Sequence, residues 1–106
     1  MTNFIHSLIS VEFHCHTYAS KDSLTRPADL IAMARRKGID RVIVTDHNSI
    51  AGAREAHGID PELVIVGEEI MTTKGEILAA FVKEEVPPDL TPLETINILK
   101  EQGAFI

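Results

Sequence analysis

Six side chains able to bind a divalent cation fall in three short clusters: His14 with His16, Asp46 with His47, and Glu69 beside Glu68. Imidazole nitrogens and carboxylate oxygens hold such cations at about 2.0–2.2 Å. Two histidines two residues apart on a strand project to the same side. Alone, that spacing is equally an ordinary surface or core pattern. What gives it weight is position: each cluster directly follows a short apolar run of strand length. In α/β sheets and barrels, functional groups gather at the C-terminal ends of parallel strands. Carboxylates crowded at such a rim are costly unless cations neutralise them.

The elements that would deliver these residues can be read from hydrophobic period and turn signals. Residues 11–16 predict a strand, with Val11, Phe13 and Cys15 on one face and Glu12, His14 and His16 on the other. A polar loop follows over 17–25, then a helix over about 27–37 ended by Gly38. Val42, Ile43 and Val44 form a continuous apolar run, as a parallel strand buried on both faces requires. A short Ala-rich helix is expected over about 50–57, stopped by Gly58. Two further strands are expected, over 63–66 with 67–71 following, and over 77–82, separated by a turn at 73–75. Thr91, Pro92 and Glu94 spell a capped helix start. That helix runs to about Gln102, and Ala104, Phe105 and Ile106 begin another strand. The resulting order of strands and helices is α/β.

Three stretches resemble motifs of the PHP (polymerase and histidinol phosphatase) family. They are Glu12 to Ser23, containing His14, His16 and Asp22; Val44 to Gly52, containing Asp46 and His47; and Val66 to Thr72, containing Glu69. The resemblance implies the N-terminal part of a distorted (β/α)7 barrel, parallel strands with helices outside, and a metal-dependent phosphoesterase. It implies two or three divalent ions (Mn2+, Zn2+, Fe2+ or Mg2+) in the complete domain. By position, His14 and His16 resemble ligands of one metal, and Glu69 a carboxylate bridging it to a second. Asp22 and His47 resemble ligands of a third. Asp46 and Glu69 are the residues expected at the catalytic centre, Asp46 by orienting an imidazole. Many members carry a histidine where this chain has Glu76, which stands as a further candidate ligand or as a solvent-facing acid. The family's later ligands would lie beyond Ile106, so residues 1–106 are expected to be a partial PHP domain, completed by the rest of the barrel.

Several residues take plainer readings. His6 and His57 read as surface groups, Cys15 as a small core residue, and Glu68 as pointing away from Glu69. Tyr18, Lys21, Arg26 and Lys74 read as solvated loop residues, with a phosphate contact as their functional alternative.

The formal net charge of −6 argues against a general nucleic-acid-binding surface, which needs clustered Lys and Arg. With 5% aromatic residues and no Trp, a stacking platform for single strands is not expected. A small phosphorylated metabolite or a nucleotide is the favoured substrate, with nucleic acid less favoured. One cysteine allows no internal disulfide, and no apolar run approaches the ~20 residues of a membrane span. A cytoplasmic location is the expectation. Two other classes fit parts of the pattern. His-x-His after a first strand also resembles the amidohydrolases, and a chain this short could be a non-catalytic metal-binding or interaction fragment.

Overall fold

The computed structural model describes residues 10–17 and 25–106; the side chains of His14 and Cys15, together with His6, Tyr18, Lys21 and Asp22, lie outside the described set. Seven elements follow in chain order: β1 (Val11–Cys15), α1 (Pro27–Arg36), β2 (Arg41–Val44), α2 (Ala51–Ile59), β3 (Val64–Thr72), β4 (Gly75–Ala80) and α3 (Pro92–Glu101). The strands form one sheet in the order β1-β2-β3-β4.

β1, β2 and β3 are parallel, as their apolar runs and helical connections predict. β4 is not. It turns back through Thr73 and Lys74 to pair antiparallel with β3, Gly67 opposite Ala80 and Thr72 opposite Gly75. A connection this short cannot cross over to a parallel neighbour, so β4 is the one described strand that runs against the parallel set. The fold is therefore α/β with a curled sheet of mostly parallel strands. Residues 104–106 contribute only a bridge, in which Phe105 and Ala80 exchange both backbone hydrogen bonds at 2.8 and 2.9 Å.

The helices end where the chemistry of the chain tells them to, with one exception. α1 starts on Pro27 and closes at Gly38, whose φ of 75° lets Ile39 N–H reach Ala34 O (3.0 Å) and Gly38 N–H reach Arg35 O (3.1 Å). α3 carries the full capping box of Thr91 and Glu94. α2 runs through Gly58 to Ile59, one turn-end beyond the expected stop. A glycine inside a helix costs ~1 kcal/mol relative to alanine. Here Asp60 N–H still closes the last turn on Ala56 O at 3.0 Å.

Packing follows the two faces of the sheet. Leu30, Ile31 and Ala34 of α1 and Ala53 and Ala56 of α2 bury against Val42, Val44, Leu63 and Val64. A second cluster gathers Ile50, Ile70, Ala79, Val82, Val86 and Leu99 under α3. The opposite face of the sheet is an apolar trough lined by Phe13, Ile43, Thr45, Leu78 and Phe105, with Phe13 and Phe105 more than half exposed.

β1 departs from simple alternation. Glu12 pairs with Val42 and Cys15 with Val44, so three steps along β1 oppose two along β2. The extra residue means that the two-residue period does not carry unbroken to His16, which follows the end of the strand.

Candidate metal centre

Three of the expected side chains converge. His16, His47 and Glu69 each offer a ligand atom, and those atoms all lie within 4.8 Å of one another. His16 follows β1, His47 follows β2, and Glu69 lies within β3, so three consecutive parallel strands deliver one donor each to the same rim. Glu69 Oε1 stands 3.4 Å from His16 Nε2 and 3.7 Å from His47 Nδ1. The two imidazoles stack, with centroids 4.7 Å apart and planes 15° from parallel. Glu69 is buried while both rings remain partly open to solvent.

The backbone explains why His47 meets Glu69. Beyond the end of β2, the chain stays laced to β3: Glu69 N–H donates to Asp46 O and Asn48 N–H to Glu69 O, each at 2.9 Å. His47 and Glu69 thereby form a parallel bridge outside the regular ladder. Asn48 makes the turn that follows, with φ of 51°, and its Oδ1 accepts from Met71 N–H at 2.9 Å. Asparagine tolerates this left-handed region better than most residues. The helix that follows, α2, has no side-chain cap of its own. Instead Glu85 Oε1 accepts from Ile50 N–H at 3.0 Å.

Asp46 is fully buried, and its partner is Thr17. Thr17 N–H donates to Oδ1 and Thr17 Oγ–H to Oδ2, both at 2.5 Å. His16 Nδ1 lies 3.9 Å from Oδ1, beyond hydrogen-bond reach. Asp46 thus braces the backbone just after His16. Gly52 is packed against this pair: a Cβ there would lie 1.9 Å from Thr17 Oγ1 and 2.7 Å from Asp46 Oδ2. The glycine six residues after Asp46 is part of the site's construction.

Glu76, from β4, places Oε2 3.3 Å from His47 Nδ1 and is about a third exposed. It touches the edge of the cluster through that imidazole. Glu68 takes the other face, as the alternation of β3 predicts. It is fully buried, with Oε1 accepting from Val86 N–H at 2.9 Å and Oε2 without a hydrogen-bond partner. Burial pushes its carboxyl up to about 7; the Val86 N–H opposes the rise and the charge of Glu85 adds to it. His57 donates from Nδ1 to Val64 O at 2.9 Å, far from the cluster along β3. Arg26 and Lys74 are exposed.

Thr17 and Asn48 are the residues that spacing arguments did not single out. Asn48 carried a signal, since asparagine after a strand end often marks a left-handed turn. Thr17 carried none beyond its place next to His16.

The family comparison decides what this arrangement belongs to. The model of the PHP domain matches residues 12–85. This chain is a member of the PHP domain family. An uncharacterized protein of Methanocaldococcus jannaschii is 39% identical over 110 residues, which is 92% of this chain and 64% of that protein. A 5'-3' exoribonuclease of Haemophilus influenzae is 30% identical over 100 residues, 88% of this chain and 36% of that enzyme. A crystal structure assigned to a metal-dependent phosphoesterase of Bifidobacterium adolescentis superposes with a TM-score of 0.56 at 27% identity. It covers 68% of this PHP chain, which spans 27% of that structure. The chain is thus shorter than each of these relatives, spanning about two thirds of the archaeal protein and about a third of the exoribonuclease. No described helix is long and apolar enough to cross a membrane.

The donor set fits a divalent cation. Two imidazoles and one carboxylate suit Zn2+, Mn2+ or Fe2+. They lie close enough to share one ion with modest side-chain adjustment. A buried carboxylate flanked by two rings also gains from the positive charge such an ion brings.

Proposed function

We propose that this PHP chain serves metal-dependent hydrolysis of phosphoesters, with a small phosphorylated metabolite or a nucleotide as substrate. The observation that carries the reading is the convergence of His16, His47 and Glu69 from three strand ends. Two relatives, named as a phosphoesterase and an exoribonuclease, both act by name on phosphoester bonds and support the same reaction class.

In this reading His16, His47 and Glu69 hold the metal, and His14 and Asp22 join them on the strength of the motif alone. Glu76 sits beside His47 as a further ligand. A bound divalent ion would activate water near neutral pH and offset charge on the phosphoryl oxygens. The chain's own residues do the positioning. Glu69, fixed by two backbone hydrogen bonds of its own strand position, presents one carboxylate oxygen to both rings. Thr17 and Asp46 hold the turn that carries His16. Asp46 acts through that turn and lies 3.9 Å from Nδ1 of the His16 ring it would help to orient. The described donors fall short of the set usual for two or three ions, and the length of the relatives supports residues 1–106 as one part of a larger PHP domain.

The test, in the presence of Mn2+, is phosphate release from a generic phosphomonoester and release of the leaving alcohol from a phosphodiester. His16→Ala and His47→Ala are each expected to abolish it while circular dichroism stays native. Equal activity in both variants, or hydrolysis of amides and lactones instead, overturns the assignment.

A further inference from the structure

A second concavity lies at the other end of the sheet. It has a volume of about 470 Å³ and is floored by the first three residues of β3, beginning at Val64. From Val64 to Glu69 is five residues of β3, about 16 Å at ~3.3 Å per residue, so this groove is separate from the metal cluster.

Its rim carries two cations, Arg41 and Lys83, and one acid, Glu62, in a chain whose net charge is −6. The lining thus carries one positive charge more than negative, against the sign of the whole chain, and a cationic lining favours anions. Arg41 and Lys83 are exposed, so neither head group is buried in the core. His57 donates from Nδ1 to Val64 O, because a carbonyl can only accept; Nε2 is then the ring's remaining polar atom.

One wall is Phe81, held at φ 59° and more than half exposed. A non-glycine residue in that region carries strain, and an aromatic ring left in water gains nothing from it. The backbone there leaves β4 and returns to β3, where Val82 N–H donates to Val66 O at 3.0 Å. The ring is therefore set beside an apolar floor by fixed backbone on both sides.

We infer that this basal groove binds a small phosphomonoester with a planar apolar body, of which a nucleoside monophosphate is the type. The flat body lies against Phe81 and β3, and the phosphate is held by Arg41 and Lys83. An apolar pocket with a few convergent polar groups, at this volume, is the usual form of a small-molecule site. A phosphate suits two cationic side chains, one of them a guanidinium that can bind it through two N–H groups.

The experiment is a site-resolved NMR titration of the metal-free chain with AMP, inorganic phosphate and adenosine. AMP is expected to shift the amides of 64–66 and 81–83 saturably, with weaker shifts from either half alone. Arg41→Ala/Lys83→Ala should weaken AMP at least about tenfold, and added salt should weaken it in the wild type. Phe81→Gly is tolerated at this φ and keeps the fold. It should weaken AMP and leave inorganic phosphate unchanged. The proposal fails if no saturable shift occurs at the groove, or if AMP perturbs only residues around His16, His47 and Glu69. It also fails if both variants bind AMP like the wild type. A groove that binds AMP in a chain that takes up no metal would overturn the proposed function and leave this site standing.

Discussion

His16 Nε2 and Glu69 Oε1 approach to 3.4 Å across the ends of strands that are not neighbours in the sheet, β2 lying between them. That contact closes the rim, and His47 fills the gap between its ends with a stacked ring. A carboxylate shared by two imidazoles is the centre of charge for any cation bound here. Glu69→Gln keeps the shape and removes that charge. Isothermal titration calorimetry with Mn2+ or Zn2+ should show at least ~10-fold weaker binding, the loss typical even of outer partners of a metal site. Unchanged affinity would remove Glu69 from the site.

Among the described residues, Glu76 reaches the cluster through His47 Nδ1, and it is partly exposed. Glu76→Gln should therefore weaken metal binding less than Glu69→Gln does, by about tenfold or under on the same scale. A larger loss than that of Glu69→Gln would reverse the ranking of the two acids.

Gly52→Ala should destabilise the fold. The added carbon would overlap Thr17 Oγ1, and the Thr17–Asp46 pair would have to part. Overpacking of this kind typically costs ~1–3 kcal/mol. Urea unfolding should show the drop, and metal affinity should fall with it because the turn carrying His16 moves.

Stability should depend on pH through Glu68. Its carboxyl sits at about 7 in the fold against 4.5 when free, so folding favours the protonated form. For an acid raised in this way, the penalty is absent below the free value, grows as pH rises from 4.5 to 7, and is constant above. Its full size is on the order of 3 kcal/mol. Urea midpoints of the metal-free chain between pH 5 and pH 8 should fall with rising pH, and Glu68→Gln should flatten that slope. A slope unchanged in Glu68→Gln would assign it to other groups.

Much of this was legible in the residues themselves. Val42 to Val44 announced a buried parallel strand, and Thr91 with Glu94 a helix start, because each pattern has one dominant physical cause. The direction of β4 was not legible from its apolar run, since burial does not depend on which way a strand points; the short turn at Thr73 and Lys74 was the better guide. Gly58 misled because a glycine permits a helix to stop without obliging it to. At the candidate site, the convergence of His16, His47 and Glu69 was readable from type and strand-end position. The irregular pairing of β1 and the grip of Thr17 on Asp46 were not, because both arise only when strands meet.

The lacing of Asp46 and Asn48 onto Glu69 leaves no slack between the last residue of β2 and His47. Length is therefore as strict here as residue type. Inserting or deleting a single residue between Val44 and Asn48 would slip the imidazole past its carboxylate, even with every side chain retained.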